Sequence, residues 1–152
     1  MNEAARLHGR LIGIDHGLKR IGIAVSDSTG LIARELGIIV RASKAQDFAQ
    51  IQQHAAQQQA IGFVVGVPQD LHRQEQGLYS QADKVKKWAE QFRKAVSLPV
   101  ILWDETMSSH DAQALAQQLH RKPGQPIDDL AARMILQSYL DALQDGSVEF
   151  PG

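Results

Sequence analysis

The order of the apolar segments is the feature that most constrains the fold of this chain. Three apolar runs of strand length come early, at residues 11–15, 21–25 and 31–40, and turn residues separate them. The first gap is short enough for a hairpin, and a second turn precedes the third run. The sequence therefore predicts that the chain opens as an antiparallel meander of three strands.

From residue 43 onward, helical and strand-like patterns alternate. Ser43 and Gln46 form a capping-box pattern that predicts a first amphipathic helix. The apolar run 61–67 is bounded by glycine and proline, and it predicts a strand that is parallel to its neighbour because a helix precedes it. Ser80 and Asp83 resemble a second cap. An apolar stripe at helical spacing follows them and predicts a second helix.

The last third of the chain adds one strand and two helices. Residues 99–103 predict a strand that ends on acid, and a cap at Ser108 and Asp111 predicts a third helix. Proline and glycine between 121 and 126 end that helix, and a last one follows at about 128–143. The expected architecture is α/β, in the order β-β-β-α-β-α-β-α, with helices flanking a mixed five-stranded sheet.

The composition fits one globular domain. The chain has 152 residues, 43% of them hydrophobic and 22% charged, so we expect a single domain over 1–152 with loose termini at about 1–9 and 146–152. The formal net charge of −1 provides no general attraction to polyanions. Cysteine is absent, which excludes disulfides and thiolate chemistry. The polar N-terminus favours a cytoplasmic location without membrane partners.

Three acidic residues are the candidate catalytic groups. Asp15 and Glu105 each follow the end of a predicted central strand, where ligands gather in open α/β sheets. A helical wheel places Asp128 in the middle of the buried stripe of the last helix and Asp129 at its edge. Asp104 and Glu105 are neighbours along the strand and point in opposite directions, so only one of them can face the site, and Glu105 is the candidate. The alternative is purely structural, with Asp128 capping its helix and Asp15 capping a turn.

A shared metal ion would compensate the burial of these acids. Carboxylate oxygens without thiolates favour Mg²⁺ or Mn²⁺, and Mg²⁺ accepts phosphate oxygens as further ligands. Two such ions, roughly 3.5–4 Å apart, could activate a water molecule and stabilise the leaving oxygen of a phosphodiester. Such a site would suit hydrolysis of a phosphodiester and would need no side-chain nucleophile.

Five basic residues are candidates for binding the substrate. Lys19 and Arg20 lie in the turn after Asp15, where they could contact a phosphate, and the alternative is an ordinary charged turn. Arg73 lies in a predicted exposed loop over 69–77, where solvated residues are common. The last two, Arg121 and Lys122, lie in the linker before the final helix, which could close over a substrate.

Four motifs that span most of the chain resemble those of one family. They are GIDHGLKRIGIAVSD at 13–27, VGVP at 65–68, WDETMSS at 103–109 and IDDLAARMILQSYL at 127–140. The sequence resembles the YqgF family, also called RuvX, of Holliday-junction resolvases and pre-16S rRNA nucleases with a ribonuclease-H-like fold. The first motif is long and therefore specific.

The resemblance implies roles for individual residues. Asp15, Glu105 and Asp128 correspond to the catalytic acids, and the implied role is trimming of the 5′ end of the 16S rRNA precursor. The chain departs from the family pattern at Thr106, where arginine is usual, and in the loop 69–74, where the common Asn-x-Asp-Gly pattern is replaced.

Three functions remain open at this point. The first is a nuclease, monomeric or homodimeric, that acts on precursor 16S rRNA or on branched DNA as a Holliday-junction resolvase. The second is a non-catalytic, nucleic-acid-binding ribosome-assembly factor, suggested by Thr106 and the altered loop. The third is an actin-like ATPase or sugar kinase, suggested by the Asp-His-Gly turn at 15–17. A chain of 152 residues has no room for the second lobe of those enzymes.

Overall fold

The structure is a computed structural model that describes residues 7–69, 80–105 and 109–152, without the side chains of 109–112. The predicted exposed loop beyond residue 69, the cap at Ser108 and the departure at Thr106 lie outside this part of the chain. The elements are β1 (Arg10–His16), β2 (Arg20–Ser26), β3 (Ala33–Val40), α1 (Lys44–Gln57), β4 (Ala60–Pro68), α2 (Gln81–Ala95), β5 (Val100–Glu105), α3 (Ser109–Gln118) and α4 (Asp128–Gln144).

One mixed sheet of five strands, in the order β3-β2-β1-β4-β5, organises the fold. Strand β2 pairs antiparallel with both β1 and β3, so the predicted meander is confirmed. The pairs β1–β4 and β4–β5 are parallel, as the intervening helices predicted. One expectation was wrong, because β5 is an edge strand rather than a central one. The meander occupies one side of β1, and β5 extends the parallel part of the sheet on the other side, beyond β4.

The first two helices begin where their capping sequences predicted. Ser43 accepts a hydrogen bond from the backbone N–H of Gln46, and Ser80 accepts one from that of Asp83. In both helices the side chain of the third helical residue bonds back to the cap, which completes a capping box. The final helix, α4, begins without a side-chain cap at Ile127. Its start is therefore fixed by tertiary contacts.

The sheet has an apolar layer on each face because successive side chains in a strand point in opposite directions. Ile12 and Ile14 of β1 pack with α1 and α2 on one face, in a cluster that includes Trp88. Leu11 lies on the other face, in the cluster formed with α4. Each strand therefore has one face toward α1 and α2, the α1/α2 face, and one toward α4, the α4 face.

Glycines let α4 lie close to the sheet. A Cβ atom built at Gly13 would lie 2.7 Å from Cβ of Leu136, and one at Gly66 would lie 2.5 Å from Cδ1 of Ile135. At Gly22 it would overlap the carbonyl group of Asp128 in the backbone of α4. The distance between α4 and the sheet therefore depends on the absence of side chains at these positions.

Parts of both chain ends pack on the core, which differs from the expectation of loose termini. Leu7 is buried, and Val148 and Phe150 are partly buried against the cluster around α4. The ring of Phe150 lies over Gly62, where a Cβ atom would come within 2.8 Å of it. No helix in the described ranges is long and apolar enough to span a membrane.

Candidate active site

Asp15 and Glu105 lie on the α4 face of the sheet. Leu11 shares that face, so strand alternation places Asp15 there as well. Trp103 of β5 packs against the α4 cluster, and the same alternation places Glu105 on its side of the sheet. Asp104 points to the opposite face and is exposed. The preference for Glu105 over Asp104 thus agrees with the direction of β5.

Asp128 is brought to this end of the sheet by the first turn of α4. Its backbone carbonyl lies against Gly22 of β2, and Gly22 is the register partner of Asp15 in the β1–β2 ladder. Its Oδ1 atom would lie 3.5 Å from a Cβ atom built at Gly17, in the turn that follows Asp15. Three acids from separate segments therefore meet at the same end of one sheet face.

The prediction that Asp128 is more deeply buried than Asp129 was wrong. Asp129 is buried at 7% exposure, whereas Asp128 is only partly buried. The wheel centred the stripe on three residues, but Leu136, Leu140 and Leu143 are buried too. With them, the stripe centres about 50° from each of the two acids. Neighbouring groups then decide which of the two is buried.

The electrostatics support the proximity of the three acids. Burial, followed by the nearby charges of Glu105 and Asp128, raises the pKa of Asp15 to about 7. Burial also raises the pKa of Glu105. A cation at this place would stabilise the ionised form of Asp15, which burial and the neighbouring acids disfavour.

The chemistry of these acids fits a hard divalent cation, although the side chains are not gathered into a finished site. All three offer only oxygen ligands, which suit Mg²⁺ or Mn²⁺. Among the residues described, no group of three His, Cys, Asp or Glu side chains is close enough to hold an ion. One reason is that the Asp128 carboxylate is engaged by Arg20.

Arg20 binds an acid rather than standing free for a substrate. Its Nε atom donates a 2.9 Å hydrogen bond to Oδ2 of Asp128, and its side chain remains 42% exposed. The neighbouring Lys19 is exposed. Of these two basic residues, Arg20 therefore pairs with an acid and Lys19 is exposed to solvent.

Arg121 is also paired with an acid, and its contact with the substrate stays a prediction. Its two terminal nitrogens donate to the two carboxylate oxygens of Asp129, at 2.7 and 2.8 Å, and one donates to the carbonyl of Pro126 at 3.0 Å. These bonds join the linker to the first turn of α4. Lys122 is exposed beside it, whereas Arg73 lies outside the described residues.

Sequence reasoning missed the ion pair between Arg121 and Asp129 and the cleft that it borders. The cleft has a volume of about 410 Å³ and lies between α3 and the linker 119–127. Its lining extends from Gln113 and Gln117 to Arg20 and Asp128. The only signal in the sequence was the spacing of an arginine and an acid on either side of a proline-rich turn.

His16 is a second residue that the sequence did not single out. It follows Asp15 but points to the α1/α2 face, where its ring packs against that of Trp88 at a centroid distance of 4.6 Å and an interplanar angle of 39°. Burial, with a smaller effect from Arg41, lowers its pKa to about 4. His16 therefore belongs to the packing beneath the acids rather than to the site itself.

Comparison with known proteins identifies relatives along most of the chain. A family model described as "RuvX: Holliday junction resolvase" matches residues 9–142. A protein of Thermoanaerobacter pseudethanolicus, named "Putative pre-16S rRNA nuclease", is 38% identical over 137 residues, which are 88% of this chain and 96% of the relative. A protein of Koribacter versatilis with the same name is 33% identical over 144 residues, 93% of this chain and 92% of the relative.

Solved structures agree on the fold. RuvC of T. thermophilus, in complex with Holliday junction substrate, superposes with a TM-score of 0.58 at 16% identity and covers 93% of this chain and 99% of its own. At that identity the likeness concerns the fold alone, and it confirms the predicted ribonuclease-H-like architecture. Together with the match over residues 9–142, the comparisons show that this chain is a member of the RuvX family.

Proposed function

We propose that this chain is a divalent-metal-dependent nuclease that hydrolyses phosphodiester bonds and processes the 5′ end of the 16S rRNA precursor in the cytoplasm. The observation that carries the proposal is the meeting of Asp15, Glu105 and Asp128, in which two acids raise the pKa of the third. The curated relatives bear the name of such a nuclease over nearly the whole chain.

The three acids would hold Mg²⁺ or Mn²⁺. When bound, the ion would supply a water molecule of lowered pKa and would stabilise the charge on the leaving oxygen. For its part, the protein must release the proton from Asp15, whose pKa is about 7, before that carboxylate can bind a cation. Neutral to alkaline pH therefore favours the active form.

The neighbouring cations would position the substrate. Arg20 forms an ion pair with the Asp128 carboxylate. Once that carboxylate binds a metal ion, the guanidinium of Arg20 would be available to a substrate phosphate beside the ion. Lys19 and Lys122 are exposed and could contact flanking phosphates. Such contacts fix the register of a strand without reading its sequence.

A second candidate is the resolution of DNA junctions. It is favoured by the description of the matching family as Holliday junction resolvase. Both substrates present the same phosphodiester to the same acids, so the chemistry is shared and the candidates differ in the nucleic acid bound. Junction resolution would need a homodimer with two sites, whereas trimming of RNA could be done by a monomer.

Parallel cleavage assays on two substrates test the proposal. The purified chain is incubated with a precursor 16S rRNA fragment and with a four-way DNA junction, in Mg²⁺, in Mn²⁺ and in EDTA. We expect metal-dependent cleavage of the RNA at its 5′ side and none in EDTA. Cleavage of the junction alone would favour the second candidate. Tight RNA binding without cleavage in either metal would contradict a nuclease and favour a non-catalytic assembly factor.

A further inference from the structure

The cleft between α3 and the linker 119–127, the α3–linker cleft, is a built feature beside the acids. Its volume of about 410 Å³ falls within the range of roughly 300–1,000 Å³ typical of small-molecule sites. Arg20 and Asp128 form one end of it. A group bound in the cleft would therefore lie next to a phosphate held at the acids.

The linker wall of the cleft is held in place by the side chain of Arg121. Its three hydrogen bonds, to both oxygens of Asp129 and to the carbonyl of Pro126, tie the linker to α4. Its backbone N–H donates to the carbonyl of Ala116 at 2.9 Å, which ties the linker to α3 as well. The cleft thus has a defined width, set by the ties at both of its sides.

The chemistry of the lining suits a nucleobase. Gln113 and Gln117 lie one helical turn apart on α3 and contribute amide groups, each with donors and an acceptor. Pro123 and Ile127 contribute apolar surface that a flat ring could cover. Lys122 adds a positive charge for a phosphate. Amide, apolar and cationic groups together match the edge, the face and the backbone of one nucleotide.

We propose that the α3–linker cleft holds one unpaired nucleotide of the substrate, next to the cleaved phosphate, with the amides of Gln113 and Gln117 bonded to the edge of its base. This inference rests on the proposed function for the position of the cut. The Watson–Crick edge of a base is free to bond in this way only where the strand is unpaired, and the major groove of A-form duplex RNA is too deep and narrow for side chains to read. The cleft therefore selects substrates with a single-stranded nucleotide beside the bond that is cut.

Binding assays with a double variant test this assignment. Gln113→Ala and Gln117→Ala are combined, and Gln118→Ala serves as the matched control because Gln118 is exposed on the same helix and outside the cleft. Alanine is the best helix former, so α3 is retained. Dissociation constants are measured with Ca²⁺ in place of Mg²⁺, for a short single-stranded RNA, DNA of the same sequence and a blunt RNA duplex.

We expect the double variant to bind the single strands about tenfold more weakly, the scale of one well-placed amide–base pair. The affinity of the double variant for the duplex should match that of the wild type. The Gln118→Ala control should bind all three nucleic acids as the wild type does. Unchanged single-strand affinity, or an equal loss for strand and duplex, would overturn the proposal. A loss for RNA but not DNA would overturn the assignment of the amides to the base. Absence of cleavage by the wild type would contradict the proposed function and would leave this binding result unaltered.

Discussion

Arg20 donates a 2.9 Å hydrogen bond from Nε to Oδ2 of Asp128, which joins two residues that are 108 positions apart in the sequence. The bond connects the start of β2 to the first turn of α4, above the end of the sheet where Asp15 and Glu105 lie. It compensates the charge of Asp128, while burial raises the pKa of both Asp15 and Glu105. Arg20 therefore competes with any cation that would bind Asp128.

Removal of that competition should strengthen metal binding. In Arg20→Gln the carboxylate of Asp128 is free, so we expect the affinity for Mn²⁺ to rise by up to about fivefold, the equivalent of the ~1 kcal/mol upper value for a partly exposed ion pair. Isothermal titration of the nucleic-acid-free protein measures it. Arg34→Gln is the matched control, because Arg34 is an exposed cation on the neighbouring strand. Equal affinities in the wild type and Arg20→Gln would contradict this competition.

Asp15 should make the metal-free protein less stable as the pH rises. Its pKa is raised from 3.8 to about 7, so between these values the unfolded chain releases a proton that the folded protein retains. Stability then falls through this window and levels off above about pH 7. The loss is on the order of 2 to 4 kcal/mol.

Denaturant unfolding in EDTA at pH 5 and pH 8 measures this effect. We expect Asp15→Asn to reduce the loss between the two pH values, because its amide does not ionise. The raised pKa of Glu105 also makes the free energy of unfolding fall as the pH rises. The pH dependence of Asp15→Asn is therefore compared with that of the wild type, since neither is expected to be flat. An identical pH dependence in the two proteins would show that Asp15 ionises normally.

Gly22 should be needed for the position of Asp128. In Gly22→Ala the new methyl group overlaps the backbone carbonyl of Asp128, so α4 must move or the sheet must bend. We expect a loss of about 3 kcal/mol in unfolding free energy, at the upper end for overpacking, together with weaker metal binding. Gly37→Ala is the control, because nothing lies within 4 Å of a Cβ atom there. Equal stability of the two variants would contradict the close approach of α4.

The ion pair of Arg121 and Asp129 should contribute more to stability than a more exposed one. Its side chains are 17% and 10% exposed, so Arg121→Ala leaves a buried carboxylate without its partner, at a cost of about 2–4 kcal/mol. The control is Arg133→Ala, since Arg133 pairs with Glu35 at 32% and 29% exposure and should lose less than about 1 kcal/mol. Chemical denaturation measures both. Similar losses of unfolding free energy in the two variants would contradict a larger contribution from the more buried ion pair.

The sequence predicted those features of the fold that depend on local patterns. Both capping boxes, the meander and the parallel strands follow from short-range periodicity and spacing, and all were confirmed. These predictions succeed because the relevant contacts lie within one element or between neighbouring ones.

Long-range partners could not be predicted in the same way. The burial order of Asp128 and Asp129 depends on which arginine reaches each of them, and one of those, Arg20, comes from the far end of the chain. A helical wheel carries no information about such a neighbour. The same limit explains why neither the pairing of Arg121 with Asp129 nor the α3–linker cleft could be predicted.

Cleavage by Asp15→Asn tests the central claim, that Asp15, Glu105 and Asp128 form a metal-dependent nuclease site. The variant is compared with the wild type on the precursor 16S rRNA fragment at equal Mg²⁺, with Asp104→Asn as the control on the opposite face of the sheet. We expect Asp15→Asn to lose at least about 100-fold in rate, the scale for loss of a group that stabilises the transition state, and the control to cut normally. Wild-type cleavage by Asp15→Asn would contradict the account.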